Sequence, residues 1–170
     1  GAPSFAPIHL AAYHGFAGTL AELIRLGANV DQPMKNGWNA LMTAAAKGHK
    51  AACEALLRSG ADVDYQGAVD GMSPLMAAAS NPFDASCVGL LLQAQASVNL
   101  CDGKGVQALM FASRLGHSSA VSQLLRQRAN VKHTRPGGAT ALLDAAAAGS
   151  HAVVRLLLTA GADAGSADEN

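Results

Sequence analysis

Segments of this chain recur at a spacing of 33 or 34 residues, and the clearest copy covers residues 36–64. Gly15 is followed 33 residues later by Gly48, and Gly27 is followed by Gly60 at the same distance. The doublet Leu41-Met42 recurs at 75–76 and 109–110, and as Leu-Leu at 142–143. A fixed period of roughly 20–50 residues is typical of stacked repeats, so it outweighs the local propensities of any one segment. The chain is therefore predicted to fold as a row of similar units.

Three stretches carry the repeated motif most plainly: residues 6–12 (APIHLAA), 73–76 (SPLM) and 60–64 (GADVD). This motif resembles the ankyrin repeat, and the resemblance covers five units between about residues 5 and 164. It implies an all-α solenoid of helix–turn–helix units joined by hairpin-like loops. The predicted organisation is a single domain over residues 1–170, with repeats at approximately 3–31, 34–64, 68–99, 102–132 and 135–164.

Local signals agree with two short helices in each unit. Pro7 suits the first position of a helix, Gly15 suits its end, and Asn39 suits a helix N-cap. Unit three departs from the pattern: it has one extra residue, Ser80–Asp84 replaces the first glycine and Gln95 the second. We expect a longer, irregular turn there, either a tolerated surface insertion or a partner-specific loop. In unit four, Arg128 replaces the second glycine.

Composition narrows the functional classes. The formal net charge is zero, which argues against general attraction to nucleic acid or membranes. No apolar run approaches the length of a membrane span, and the three cysteines lack C-x-x-C spacing. Cys53 falls where other units have Leu20, Val88, Val121 and Val154, so it is predicted to be a buried thiol. A reduced thiol is typical of an intracellular protein, cytoplasmic or nuclear.

The sequence contains only weak motifs for catalysis, metal binding or cofactor binding. Residues 103–108 spell GxGxxA, but the repeat register explains them as a turn. His9, His49 and His117 match histidines that are structural in ankyrin repeats, and no histidine pair has helical i, i+4 spacing. Each possible nucleophile lies at a structural repeat position, without a partnered base. The sequence predicts no catalytic residue, no metal site and no cofactor, and hence a protein that is not an enzyme.

The resemblance implies a binding role, because ankyrin arrays usually bind protein or peptide partners at loop tips and inner helices. The register then predicts these partner-binding residues on the concave side: Phe5, Tyr13, His14, Lys35, Asn36, Trp38, Lys47, Asp70, Met72, Asn81, Lys104, Val106, Arg114 and Leu115.

The residues just before the first-helix N-caps are all apolar. We call them the pre-cap residues: Phe5, Trp38, Met72, Val106 and Ala139. One hypothesis is a continuous exposed strip with Trp38 as the aromatic anchor, whose change to Ala weakens binding by roughly 2 kcal/mol and leaves the fold intact. The alternative is that these side chains pack against neighbouring hairpins.

Charge is uneven along the chain. Residues 103–143 contain six Lys and Arg and no acidic residue, whereas residues 51–102 contain six acidic residues and one Arg. This pattern indicates either solvated faces or a surface that meets acidic groups of a partner at repeat four. Two other functions stay open: a regulatory segment of a larger enzyme or channel, and a nucleic-acid binder through repeat four. The neutral charge and few aromatic residues disfavour the second.

Overall fold

Helices dominate the computed structural model, which describes residues 6–81 and 83–165. Within those residues the ten helices are α1 Pro7–His14, α2 Ala17–Arg25, α3 Ala40–Lys47, α4 Lys50–Arg58, α5 Pro74–Ala79, α6 Ser86–Gln93, α7 Ala108–Arg114, α8 Ser118–Arg126, α9 Ala141–Ala147 and α10 His151–Thr159. Extended pairing in the same residues is limited to an isolated antiparallel bridge between Thr134 and Thr140. The all-α solenoid prediction is confirmed.

The helices form two layers. The odd-numbered inner helices α1, α3, α5, α7 and α9 pack each on the next, and the even-numbered outer helices do the same. Each inner helix also packs on the outer helix that follows it in sequence. Contacts therefore run between neighbours in the row, as expected for a solenoid whose stability is a sum of local interfaces.

Small side chains allow the inner helices to approach one another closely. Ala12, Ala45 and Ala79 are fully buried at equivalent positions, where a longer side chain would separate the helices. Larger apolar side chains, such as Leu41 and Met42, fill the space between the layers and are also fully buried. The high alanine content thus suits a core in which small side chains allow close contacts between neighbouring units.

Helix ends follow the local signals. The Asn39 side chain accepts a hydrogen bond from the Met42 backbone N–H at 2.9 Å, which confirms the predicted N-cap. Ser73 and Thr140 cap α5 and α9 in the same way. Gly15 ends α1 in the left-handed conformation with φ 74°. Each cap satisfies a backbone group that the helix itself leaves unpaired.

Repeat three has the irregular turn that its sequence predicts. Helix α5 has six residues, fewer than any other helix in the described part of the chain. The Asn81 side-chain oxygen organises the turn by accepting hydrogen bonds from the backbone N–H groups of Phe83 at 2.8 Å and Asp84 at 3.2 Å. The second helices of repeats three and four still end in the left-handed conformation, at Gln95 (φ 69°) and Arg128 (φ 61°), although neither residue is glycine.

Candidate protein-binding surface

The exposed ends of the inner helices form what we call the inner face. Tyr13, His14, Lys47, Arg114 and Leu115 are all exposed there, as the register predicts. Their solvent exposure follows from position: each lies in the last turn of an inner helix or just after it, beyond the buried alanines. Exposure makes these side chains available, and their part in binding stays a prediction.

Aromatic rings cluster at the first repeat. The Tyr13 and His14 rings meet edge to face with centroids 5.2 Å apart, and His14 stacks on Phe16 at 5.5 Å. The Lys47 ammonium, from the next repeat, lies 4.3 Å from the centroid of the Tyr13 ring. A cation over a ring face is attracted by the ring quadrupole, which orients both groups. We call Tyr13, His14, Phe16 and Lys47 the aromatic cluster.

Repeat four presents cations to solvent. Lys104 is exposed in the hairpin before α7, and the Arg114 guanidinium lies 5.2 Å from the centroid of the Phe111 ring. Among the described residues the ion pairs involve other cations: Arg25, Lys50, Arg58 and Arg135. Lys104 and Arg114 are therefore exposed and form no ion pair within that part of the chain.

Arg135 differs from these two cations because it already has a partner. Its guanidinium donates to Oδ1 of Asp144 at 3.3 Å, and Asp144 is only 9% exposed. Burial raises the pKa of the Asp144 carboxyl, and the positive charges of Arg135 and Arg114 partly oppose that shift. Arg135 is thus engaged in compensating a buried acid.

Carboxylates in the hairpins are used inside the protein. Asp31 accepts hydrogen bonds from the Asp62 backbone N–H at 3.1 Å and from the Asn39 side chain at 2.9 Å. Asp64 accepts the Ser97 backbone N–H in the next repeat at 2.8 Å, and Asn99 makes the equivalent bond one repeat later. These hairpin side chains therefore connect neighbouring repeats. Of the cations between residues 103 and 143, Arg135 is paired with Asp144, whereas Lys104 and Arg114 form no ion pair among the described residues.

The hypothesis of a continuous exposed apolar strip is wrong. Val106 is 4% exposed, and Trp38 and Met72 are half-buried against the core. Successive hairpins leave no room: a Cβ on Gly37 would lie 2.8 Å from the Ala68 nitrogen of the next hairpin. The alternative of packing between hairpins is correct for these three residues. Phe5 lies outside the described residues.

Asn81 was expected on the exposed inner face, and this is wrong. It is 6% exposed, and its side-chain N–H donates to the Ala46 carbonyl of the preceding repeat at 3.2 Å. His49 makes the equivalent bond one repeat earlier, to the Tyr13 carbonyl at 3.0 Å. Because α5 ends early, Asn81 takes the place of the structural histidine. His9, similarly, bonds the Gln32 carbonyl at 2.7 Å, in line with a structural role.

The hairpin residues divide into two groups. Lys35 and Asn36 are exposed, although the Asn36 side-chain oxygen accepts the Trp38 backbone N–H at 3.1 Å. Asp70 is half-buried, and both of its oxygens accept hydrogen bonds, from the Trp38 indole and the Met72 backbone. Asp70 therefore links two hairpins, and its part in binding stays a prediction.

Two exposed aromatic residues were missed. Phe16 is 57% exposed and Phe83 is 92% exposed, and both lie in the turns between inner and outer helices. Phe16 follows its glycine at the position where His49 and His117 follow theirs. The apolar ring of Phe16, at a position that is histidine in repeats two and four, is the sequence signal that indicates it.

Comparison with known proteins agrees with this architecture. A family model described as ankyrin repeats (three copies) matches residues 8–102 and 75–168. This chain belongs to the ankyrin-repeat family. Ankyrin repeats are generally protein–protein interaction modules and typically not catalytic.

Curated relatives are much longer proteins. An ankyrin repeat, SAM and basic leucine zipper domain-containing protein 1 from Ornithorhynchus anatinus is 35% identical over 115 residues, 65% of this chain and 24% of the relative. The protein of the same name from Echinops telfairi is 32% identical over 112 residues, 64% of this chain and 23% of the relative. Human SH3 and multiple ankyrin repeat domains protein 2 is 35% identical over 99 residues, 58% of this chain and 5% of the relative. The chain thus spans a quarter or less of these proteins.

In the residues that the structure describes, His, Cys, Asp and Glu form no group of three that could hold a metal ion. Nor does any helix in that part of the chain have the length and apolar character needed to cross a membrane.

Proposed function

We propose that this ankyrin array is a non-catalytic adaptor whose inner face binds a protein or peptide with acidic groups opposite repeat four. The observation that carries the proposal is that two exposed cations, Lys104 and Arg114, form no ion pair among the described residues. An acidic segment would supply the missing charge without displacing an existing ion pair. Complementary charge of this kind acts chiefly on association rate and register.

The aromatic cluster supplies the apolar part of the same proposal. Tyr13 and Phe16 are 43% and 57% exposed, and Lys47 holds the Tyr13 ring through its cation–π contact. Aromatic side chains with fixed orientation are typical anchors of binding energy. Tyr13 and Phe16 replace Trp38 as the proposed apolar anchor, since Trp38 is half-buried and hydrogen-bonded to Asp70. The partner is then expected to carry an apolar group for repeat one and acidic groups for repeat four.

Selection from a phage-displayed random peptide library tests the proposal. Selected peptides should be enriched in Asp and Glu, and the double variant K104Q/R114Q should bind them about tenfold more weakly, near 0.7 kcal/mol for each charge. The matched control is R126Q/R128N, which removes two exposed charges at the end of the outer helix α8. Asn suits position 128 because it tolerates the left-handed conformation there.

Ionic strength provides a second readout. The association rate should fall several-fold between about 50 mM and about 500 mM salt for the unmodified protein, because exposed charges are screened over a shorter distance at high salt. Equal loss of binding in both double variants, or peptides without acidic enrichment, contradicts the proposal. Binding of a labelled oligonucleotide in place of the peptides would favour nucleic acid instead.

A further inference from the structure

Two cysteines meet across the junction between repeats two and three. Cys53 in α4 and Cys87 in α6 are 0% and 1% exposed, and both are free thiols. Their sulfurs are 3.9 Å apart, with the Cys53 S–H donating to the Cys87 sulfur. A disulfide requires about 2.05 Å between sulfurs, so they need to approach by roughly 1.9 Å. The helices α4 and α6 already pack together.

The repeat register shows why these two side chains meet. Cys53 occupies the position of Val88 and Val121 in the later repeats, and Cys87 occupies that of Ala120 and Val153. The equivalent residues at the next two junctions are therefore pairs of small apolar residues, Val88 with Ala120 and Val121 with Val153, all buried. Apolar packing is sufficient at this position, so the packing of the repeats does not require a thiol on either side.

The surroundings distinguish the two sulfurs. The hydrogen bond from Cys53 lowers the pKa of Cys87, and Ser86 and the positive charge of Lys50 act in the same direction, against burial and Asp84. The pKa of Cys53 is raised by its bond to Cys87 and by burial. Cys87 is also the second residue of α6, directly after the irregular turn of repeat three. The more easily ionised thiol is thus adjacent to the irregular turn.

We propose that Cys53 and Cys87 are a dithiol site that hydrogen peroxide oxidises to a disulfide linking repeats two and three. The Cys87 thiolate attacks one peroxide oxygen, the O–O bond breaks and hydroxide leaves, which produces a sulfenic acid on Cys87. The Cys53 sulfur then attacks the Cys87 sulfur, the S–O bond breaks and water leaves. Two thiols lose two electrons in all, and one peroxide is reduced to two waters. Peroxide suits this site because it is close to water in size.

The disulfide would fix the outer helices of repeats two and three to each other. It closes a loop that includes the whole turn of repeat three, so it restricts the unfolded chain. We expect oxidation to raise the Tm by about 5 °C. Since the linked helices are outer ones, the inner face keeps its exposed side chains.

The test uses the full chain in a Cys101→Ser background, which removes the third thiol. After peroxide treatment and alkylation of remaining thiols, the protein should lose about 2 Da and take up no alkylating reagent. A non-reducing digest should contain the peptide joined through Cys53 and Cys87, and dithiothreitol should restore the original Tm.

The control variant adds Cys53→Val and Cys87→Ala, the pair found at the next junction, so packing is retained. Its mass and Tm should not respond to peroxide. Two results would overturn the proposal: additions of about 16 Da per oxygen without the joined peptide, or a disulfide that forms only after unfolding in urea. Neither depends on the protein's binding partner, so the outcome is separate from the proposed function.

Discussion

The indole Nε1–H of Trp38 donates a hydrogen bond of 2.9 Å to Oδ2 of Asp70, which joins the hairpin before α3 to the hairpin before α5. The other oxygen of Asp70 accepts the Met72 backbone N–H at 3.0 Å. A bond to a charged acceptor is stronger than one between neutral groups. Trp38 is therefore part of the contact between repeats two and three.

This bond predicts that Trp38→Phe destabilises the protein by about 1–2 kcal/mol, because an aromatic ring is kept while the donor to Asp70 and part of the indole surface are lost. Trp38→Ala should lower the free energy of unfolding by more, about 2–3 kcal/mol, since it also removes half-buried surface. Urea denaturation measures both. Lys35→Ala, at an exposed site in the same hairpin, is the control and should change stability by less than about 0.5 kcal/mol. A Trp38→Phe protein as stable as the original would show that the bond is not structural.

Gln95 is the subject of the second prediction. Its φ of 69° is in the left-handed region, where equivalent residues Gly60 and Gly161 lie at 86° and 92°. Left-handed strain of about 1–2 kcal/mol exceeds the entropy that glycine loses on folding. Gln95→Gly should thus raise the free energy of unfolding by about 0.5–1 kcal/mol. In the reverse experiment, Gly60→Ala should lower it by about 1 kcal/mol, as nothing lies within 4 Å of the added Cβ and only the backbone strain acts. A destabilised Gln95→Gly protein would contradict this account.

Close packing of hairpins gives the third prediction. A Cβ on Gly71 would lie 2.8 Å from the Gly103 nitrogen, whereas a Cβ on Gly137 would meet nothing within 4 Å. Both glycines have positive φ, so alanine strains the backbone at each. Gly71→Ala should therefore be more destabilising than Gly137→Ala by about 1–3 kcal/mol, the cost of separating packed hairpins. Thermal and urea denaturation of the two variants check this. Equal losses of stability in both would mean that backbone conformation alone is responsible.

Asn81 gives the fourth prediction. Asn81→Ala removes a buried side chain that donates to Ala46 and accepts from two backbone N–H groups of the turn. We expect the free energy of unfolding to fall by about 2 kcal/mol or more, and hydrogen exchange to be faster at the end of α5 and the start of α6. Asn36→Ala is the exposed control. Exchange that increases evenly over all repeats would indicate a global effect in place of a local one.

Much of the architecture follows from short-range signals in the sequence. The period of 33 or 34 residues is visible in the sequence alone. Pro7, Gly15 and Asn39 act within a turn or two of helix, so their effects are readable without the tertiary structure. Exposure at Tyr13, Lys47 and Arg114 also follows from register, because the end of the inner helix past the buried alanines faces solvent in repeats one, two and four.

Contacts between repeats determine other properties, and these are visible only in the tertiary structure. Whether Val106 and Trp38 are exposed depends on how closely one hairpin packs on the next, and no local pattern states that distance. The role of Asn81 depends on the Ala46 carbonyl, 35 residues earlier in the chain. The 3.9 Å between Cys53 and Cys87 depends on the relative rotation of α4 and α6. The sequence alone determined the repeating unit and its helices, because those forces act locally. Burial, bonding and reactivity at the junctions required the structure, because they arise between residues that only the stacking of repeats brings together.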